Sequence, residues 1–230
     1  MIVVIIMDKL FKKLKIKPKD KELYKNAFSH SSYVNEHKVK ANYERLEFLG
    51  DAVLDLVIAD YLYTHYKETE GEMTKVRANY VCENANYRYA TDLGLQQYIL
   101  LGHGEIKDGD PKKAITADIF EALMGAIYID QGYATVRKVI LNIIVPYMED
   151  DNIVFFSDYK SSLQEFVQTE QKSIEYVITN EEGPAHNKKF TVDVVIDGIV
   201  YGTGVGYSKK EAEQESAKYA LEKLAVKKTS

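Results

Sequence analysis

Cysteine is nearly absent from this chain: Cys82 stands alone among 230 residues. That excludes a disulfide framework and a cysteine-rich zinc site, and a single thiol suits a reducing cytoplasm. The five histidines are scattered, with no HExxH or comparable zinc spacing. No apolar run approaches the roughly 20 residues that a membrane-spanning helix needs. The opening MIVVIIM has the apolarity of a secretory leader. However, no basic stretch precedes it, the run is short and no small-residue cleavage site follows. It reads either as an apolar first turn packed on the domain or as an upstream extension, with an amphipathic start, MDKLFKKLKI, from Met7. Internal repeats and low-complexity tracts are missing too. Positive charge is not in excess either, since the formal balance is −5. Net charge alone therefore argues against nucleic acid as a partner, although a local basic patch can bind phosphate on an acidic protein.

What is present is the composition of a globular protein, 46% hydrophobic and 28% charged. The length allows one large domain or two ordinary ones. From Asp20 to about Met148 the periodicity is helical: KELYKNAFSH, Tyr43 to His65, GEMTKVRANYVCE, Asn84 to Leu93, Ala114 to Asp130, and Ala134 to about Ile144 near Pro146. MEDDNIVFFSD then reads as a linker. Beyond it lie a helix from Ser161 to Gln171, three strand-like runs (SIEYVIT, KKFTVDVVID, IVYGTGVG) and a helix from Ser208 to Ala225. The expected architecture is an all-α domain over 7–148, a linker over 149–156, and a small α+β domain of α-β-β-β-α order over 157–226.

The chemistry concentrates in ERLEFLGDAVLD, residues 44–55. Its apolar residues suit a buried helix, yet Glu44, Glu47 and Asp51 fall within about 60° of one another on one stripe. Like charges so placed destabilise a helix unless a cation sits among them. AITADIFEALMGAIYID repeats the theme, with Asp118 and Glu121 one turn apart on an otherwise apolar helix. Ala122, Gly125 and Ala126 are small enough to let another helix approach. Packed side by side, the two helices would place Glu47, Asp51, Asp118 and Glu121 around one point. An all-oxygen donor set without Cys or His selects a hard cation, Mg²⁺ with Mn²⁺ as a substitute, and so points to phosphodiester hydrolysis. The other reading leaves these acids paired with Arg45, Arg77 or Lys75, or solvated on a helix face.

NYERLEFLGDAVLD resembles the signature of the ribonuclease III family. FSHSSYVNEH, EGEMTKVRANYV, LGHGE and ADIFEALMGAIYID extend the resemblance, in order, over nearly the whole chain. It implies a metal-dependent endonuclease for double-stranded RNA that leaves 5′-phosphate and 3′-hydroxyl ends. Carried over residue by residue, it makes Glu47, Asp118 and Glu121 the Mg²⁺ ligands and Asp51 and Glu121 the catalytic acids. Glu44 and Glu70 become supporting acids. Phe48 reads from the sequence alone as a core aromatic; the resemblance instead implies a ring inserted into a second subunit, giving a homodimer that makes staggered cuts. DGDPKKAITAD departs from the family's Gly-Gly-rich turn and Ser-Ile-Leu-Ala-Asp entry, which puts substrate contacts there in doubt, though Lys112 and Lys113 still offer positive charge.

The tail resembles a double-stranded RNA-binding domain through DYKSSLQEFVQ, GPAHNKKF and GYSKKEAEQESAKYALEKL. Ser208 and Glu211 have the spacing of a capping box, with Lys209 and Lys210 on the helix's first turn, a phosphate-binding arrangement. Gln164, Glu165 and His186 are placed to reach 2′-hydroxyls and base edges in a minor groove. Taken singly, His186 reads as a surface loop histidine and the lysines as a solvated face. Residues 151–230 carry 10 Lys and Arg against 13 Asp and Glu, so attraction to RNA must be local and salt-sensitive. The leading expectation is a cytoplasmic, dimeric, Mg²⁺-dependent endoribonuclease acting on duplex ribosomal, messenger and transfer RNA precursors, with no membrane and no organic cofactor. A duplex-RNA-binding protein without activity is the first alternative, disfavoured by the presence of all four acids. An all-helical metallophosphatase is the second, and it leaves the tail unexplained.

Overall fold

The computed structural model describes residues 2–38, 41–105, 111–150, 153, 155, 159–184 and 188–228. The chain divides into two compact units, Met1–Phe156 and Ser157–Ser230. The first is all helix and the second is α+β, the fold class that the sequence pattern predicts.

In the first unit eight α-helices follow one another among the described residues: α1 (Ile2–Leu14), α2 (Lys21–Ala27), α3 (Ser31–His37), α4 (Glu44–His65), α5 (Glu70–Val81), α6 (Glu83–Leu93), α7 (Lys113–Gln131) and α8 (Tyr133–Met148). α1 begins well before Met7, and Met7, Leu10, Phe11 and Leu14 are buried in the common core. α3 is absent from the sequence expectation because it buries no residue and so has no apolar periodicity. It forms instead by capping, as the His30 ring accepts from Ser32 N–H. α8 runs through Pro146 to Met148 rather than ending near Ile144. In a last turn, proline forfeits one backbone bond without breaking the helix.

α7 is the axis of this unit. Eleven of its residues are buried, from Ile115 to Ile127, and α4 lies directly against it. At the crossing the two backbones touch. A Cβ on Gly50 would sit 1.8 Å from Glu121 O, and one on Gly125 would sit 2.2 Å from Leu46 O. No side chain fits there, so both glycines are demanded by the approach itself.

The second unit carries α9 (Tyr159–Thr169), β1 (Ile174–Glu182), β2 (Lys189–Ile196), β3 (Ile199–Gly206) and α10 (Lys209–Lys228). The strands form one antiparallel sheet in the order β1-β2-β3. Asp197 and Gly198, both with positive φ, make the tight β2–β3 turn. Leu163, Val167, Val194, Ile196, Ala217 and Ala220 form the core between the helices and the sheet.

Candidate active site

The close crossing decides which side chains meet. α4 brings Glu47 and Asp51, one turn apart, and α7 brings Asp118 and Glu121; Gly50 and Gly125 set the spacing. Burial and neighbouring charge shift all four. Burial raises Glu121 to about 8, helped by the charges of Asp51, Glu47 and Asp118. Glu47 is pushed up to about 7 by burial, with Asp118, Glu44 and Asp51 adding to it. Asp51 is raised by burial and by Asp55. Asp118 is raised mainly by burial, against a hydrogen bond from Tyr43 and the nearby His30.

What opposes this repulsion is almost wholly neutral. Asn86 Nδ2 donates to Glu121 Oε1 at 2.7 Å, and Tyr43 Oη donates to Asp118 Oδ2 at 3.1 Å. Arg77, one of the partners the sequence allowed, pairs with Asp55 at 3.6 Å instead. The helix dipole helps at one end only, since Glu44 and Glu47 lie in the first turn of α4. Four carboxylates with neutral donors and no lysine or arginine among the principal influences suit a hard cation in charge and in donor type. Among the described residues, however, no three His, Cys, Asp or Glu side chains form a ready-made ligand cage.

The remaining expected residues fall in different places. Glu44 is exposed and contributes repulsion to Glu47. Glu70 opens α5 and lines a cavity of about 330 Å³ with Ala59, Leu62, Tyr63, Met73, Thr74 and Arg77; it is absent from the principal charges acting on the four acids. Phe48 is 81% exposed, which overturns the core reading of that ring. It shares the outer side of α4 with Leu56 and Tyr63, 57% and 79% exposed. Lys112 is engaged by Glu105 at 2.9 Å, and Lys113 by Asn84 and the Tyr87 ring.

In the second unit Gln164 is half-buried and Glu165 exposed on α9. His186 lies outside the described residues. Ser208 caps α10 by accepting from Glu211 N–H at 3.1 Å, whereas the Glu211 carboxylate accepts from Tyr207 N–H at 2.7 Å rather than from Ser208. The reciprocal arm of the expected capping box is therefore displaced by one residue. Lys209 and Lys210 are exposed at the helix start. Lys209 lies 5.8 Å from the Phe190 ring centre and 3.9 Å from Glu181 Oε1, and Lys188 shares both partners.

Two residues were not singled out in the sequence. Tyr43 stands inside the NYERLEFLGD motif as the residue before α4, with nothing to mark its phenol as a partner of residue 118. Asn86 carries a weak signal, a polar residue on the buried side of α6 beside Ala85, Tyr89 and Ala90.

Known proteins give the chain its family. Residues 20–148 match the Ribonuclease-III-like family, and residues 159–224 match the double-stranded RNA binding motif. The chain is 49% identical to "Ribonuclease 3" of Onion yellows phytoplasma, over 94% of this chain and 90% of that one. It is 46% identical to "Ribonuclease 3" of Bacillus cereus strain G9842, over 89% and 86%. A solved nuclease domain of ribonuclease III from Campylobacter jejuni, described as flexible in a region involved in dimer formation, superposes with TM-score 0.57 at 38% identity, covering 61% of this chain and 96% of that one. The chain belongs to the ribonuclease III family. A nuclease domain of that family joined to a duplex-binding motif makes it an endoribonuclease for double-stranded RNA.

Proposed function

We propose that Glu47, Asp118 and Glu121 hold Mg²⁺, or Mn²⁺ in its place, and that Asp51 and Glu121 are the catalytic acids of duplex cleavage. The observation that carries this reading is the Gly50–Gly125 crossing, which brings together the two helices that carry the four acids, with no lysine or arginine among the main influences on their pKa values. When bound, the cation supplies Lewis acidity, acidifying water and offsetting negative charge on the phosphodiester. The protein's part follows from its own groups. Glu47 and Glu121, with pKa values near 7 and 8, release protons as the cation enters, so affinity rises with pH. Asp51, which is more exposed than either, accepts a proton from the attacking water in this reading. Breaking the P–O3′ bond leaves 5′-phosphate and 3′-hydroxyl ends. Glu44 and Glu70 are supporting acids.

The exposed Phe48, with Leu56 and Tyr63, is the anchor of a homodimer, which sets two cleavage centres across a duplex and staggers the cuts. Gln164, Glu165, His186, Lys209 and Lys210 bind the duplex through its minor groove and phosphates. Among the described residues no helix is long and apolar enough to cross a membrane; the reading places the enzyme in the cytoplasm, on ribosomal, messenger and transfer RNA precursors.

The test uses a long RNA duplex incubated with protein and Mg²⁺, with protein and EDTA, or with Glu121→Ala and Mg²⁺. Cleavage is expected only in the first, with a gel shift retained by the variant. Undiminished cutting by Glu121→Ala would remove the assigned site. For the dimer, Phe48→Glu is expected to sediment as a monomer; a variant that stays dimeric counts against that anchor.

A further inference from the structure

Four polar residues are fully buried among the described ones: Ser29, Asn86, Thr116 and Ser216. Three of them satisfy themselves locally. Ser29 Oγ donates to Lys25 O, Thr116 Oγ1 to Lys112 O and Ser216 Oγ to Glu213 O, each three or four residues back. Hydroxyls do this routinely on helices. Asn86, 1% exposed, behaves differently. One Nδ2 hydrogen goes to Val81 O at 3.2 Å, and the other leaves α6 to reach Glu121 on α7 at 2.7 Å. Both partners are acceptors, so the orientation of the amide is determined by them.

The arrangement has a cost. Asn86 Oδ1 is buried without a hydrogen-bond partner among the described residues, and an unsatisfied buried carbonyl is destabilising. A leucine of similar size would fill the position without that penalty. The amide's benefit must therefore lie with Glu121, whose hydrogen-bond partner among the described residues it is. A glutamate has three side-chain torsions to restrict, and a bond to one oxygen restricts them while leaving Oε2 outside any hydrogen bond with the described residues. The donor's neutrality matters as well. A lysine there would hold the carboxylate equally well but would cancel the charge a cation needs.

We infer that Asn86 is a positioning residue for Glu121: from α6 it holds Oε1 with a neutral donor and leaves the other oxygen for a divalent cation. The inference rests on the four-carboxylate reading proposed above. Outer groups that orient a ligand commonly affect metal affinity by 10- to 100-fold. Its closeness to the α4–α7 crossing follows from α6 packing on α7, with Tyr89 against Phe120.

The test is a mutant cycle on the full chain: parent, Asn86→Leu, Glu121→Gln and the double variant. Mn²⁺ binding is read by electron paramagnetic resonance of the free ion, and thermal unfolding is followed in EDTA. Asn86→Leu is expected to melt no lower than the parent in EDTA, yet to bind Mn²⁺ about tenfold or more weakly. In the Glu121→Gln background it should add nothing, because its only route is through Glu121. A folded Asn86→Leu that binds Mn²⁺ like the parent overturns the inference while leaving the site intact. So does an effect that adds fully to that of Glu121→Gln. If Glu121→Gln itself binds Mn²⁺ normally, the four-carboxylate reading fails, and this inference with it. Should Asn86→Leu not fold, Asn86→Ala removes the same donor and is read in the same way.

Discussion

The two charged surfaces of this molecule are built on opposite terms. In the nuclease unit burial raises the pKa values of Glu47, Asp51, Asp118 and Glu121, the neighbouring acids of the group raise Glu47 and Glu121 further, and two neutral donors reach Asp118 and Glu121. In the RNA-binding unit several lysines have acids beside them: Lys188 and Lys209 meet Glu181, Lys160 meets Glu213 at 2.6 Å, and Lys172 meets Glu170 at 2.6 Å. An uncompensated cluster gains free energy when an outside charge arrives. A compensated one must give up a partner before it can hold phosphate, so each exchange yields little. In the proposed reading one surface suits a few strong interactions with a cation, the other many weak and salt-dependent ones with a polyanion.

The largest expected effect breaks the first surface at its origin. Gly50→Ala places a Cβ where Glu121 O lies 1.8 Å away, which α4 and α7 can relieve only by parting. We expect a loss of about 3 kcal/mol in the nuclease unit, together with Mn²⁺ binding and cleavage, while duplex binding persists. Thermal unfolding and metal titration check this. A variant with native melting and full metal binding would separate the crossing from the site.

Next in size is the pH dependence of stability in EDTA. Glu47 near 7 and Glu121 near 8 both lie above the ordinary 4.5. Between about pH 4.5 and 8 the folded state therefore holds protons that the unfolded chain has released. Stability falls as pH rises through that window and levels off above it. Both groups keep some solvent, so the expected fall is modest, about 2–4 °C in Tm. Mg²⁺ should restore most at the top of the window, where both groups are ionised. A Tm that climbs from pH 5 to 8 in EDTA would show that these carboxylates are compensated after all.

The smallest effects sharpen the other half of the comparison. Lys209→Ala should weaken duplex binding a few-fold and reduce the slope of log K against log salt by about one. Glu181→Gln, which releases Lys188 and Lys209, should strengthen binding about twofold at low salt by the size of exposed ion pairs. Weaker binding by Glu181→Gln would mean that the acid orients these lysines rather than restrains them.

How much of this was legible beforehand depended on the range of the interaction. Helix and strand periods are local, and they mark the main elements beyond α1, which reads in the sequence only as an apolar first turn and an amphipathic start. α3 is the exception, since it buries nothing and forms by capping, and α8 continues past a proline whose missing bond falls in the last turn. Two acidic pairs at helical spacing, with Ala122, Gly125 and Ala126 beside one pair, were visible as a reason for two helices to meet. Gly50 was visible as a residue but not as the other half of the crossing, because nothing in its neighbourhood names Glu121 O as what it must touch.

By itself, then, the sequence determined the two-unit fold class, the acidic character of the nuclease face and the all-oxygen make-up of its candidate donors. These follow from residue type and from spacings of a few residues. Tertiary structure alone decided that Phe48 points outward, that Arg77 belongs to Asp55, and that Tyr43 and Asn86 hold Asp118 and Glu121. The latter pairs are separated by 75 and 35 residues. The physical reason is that periodicity says which side of a helix is buried, but only the packing of one backbone on another says what it is buried against.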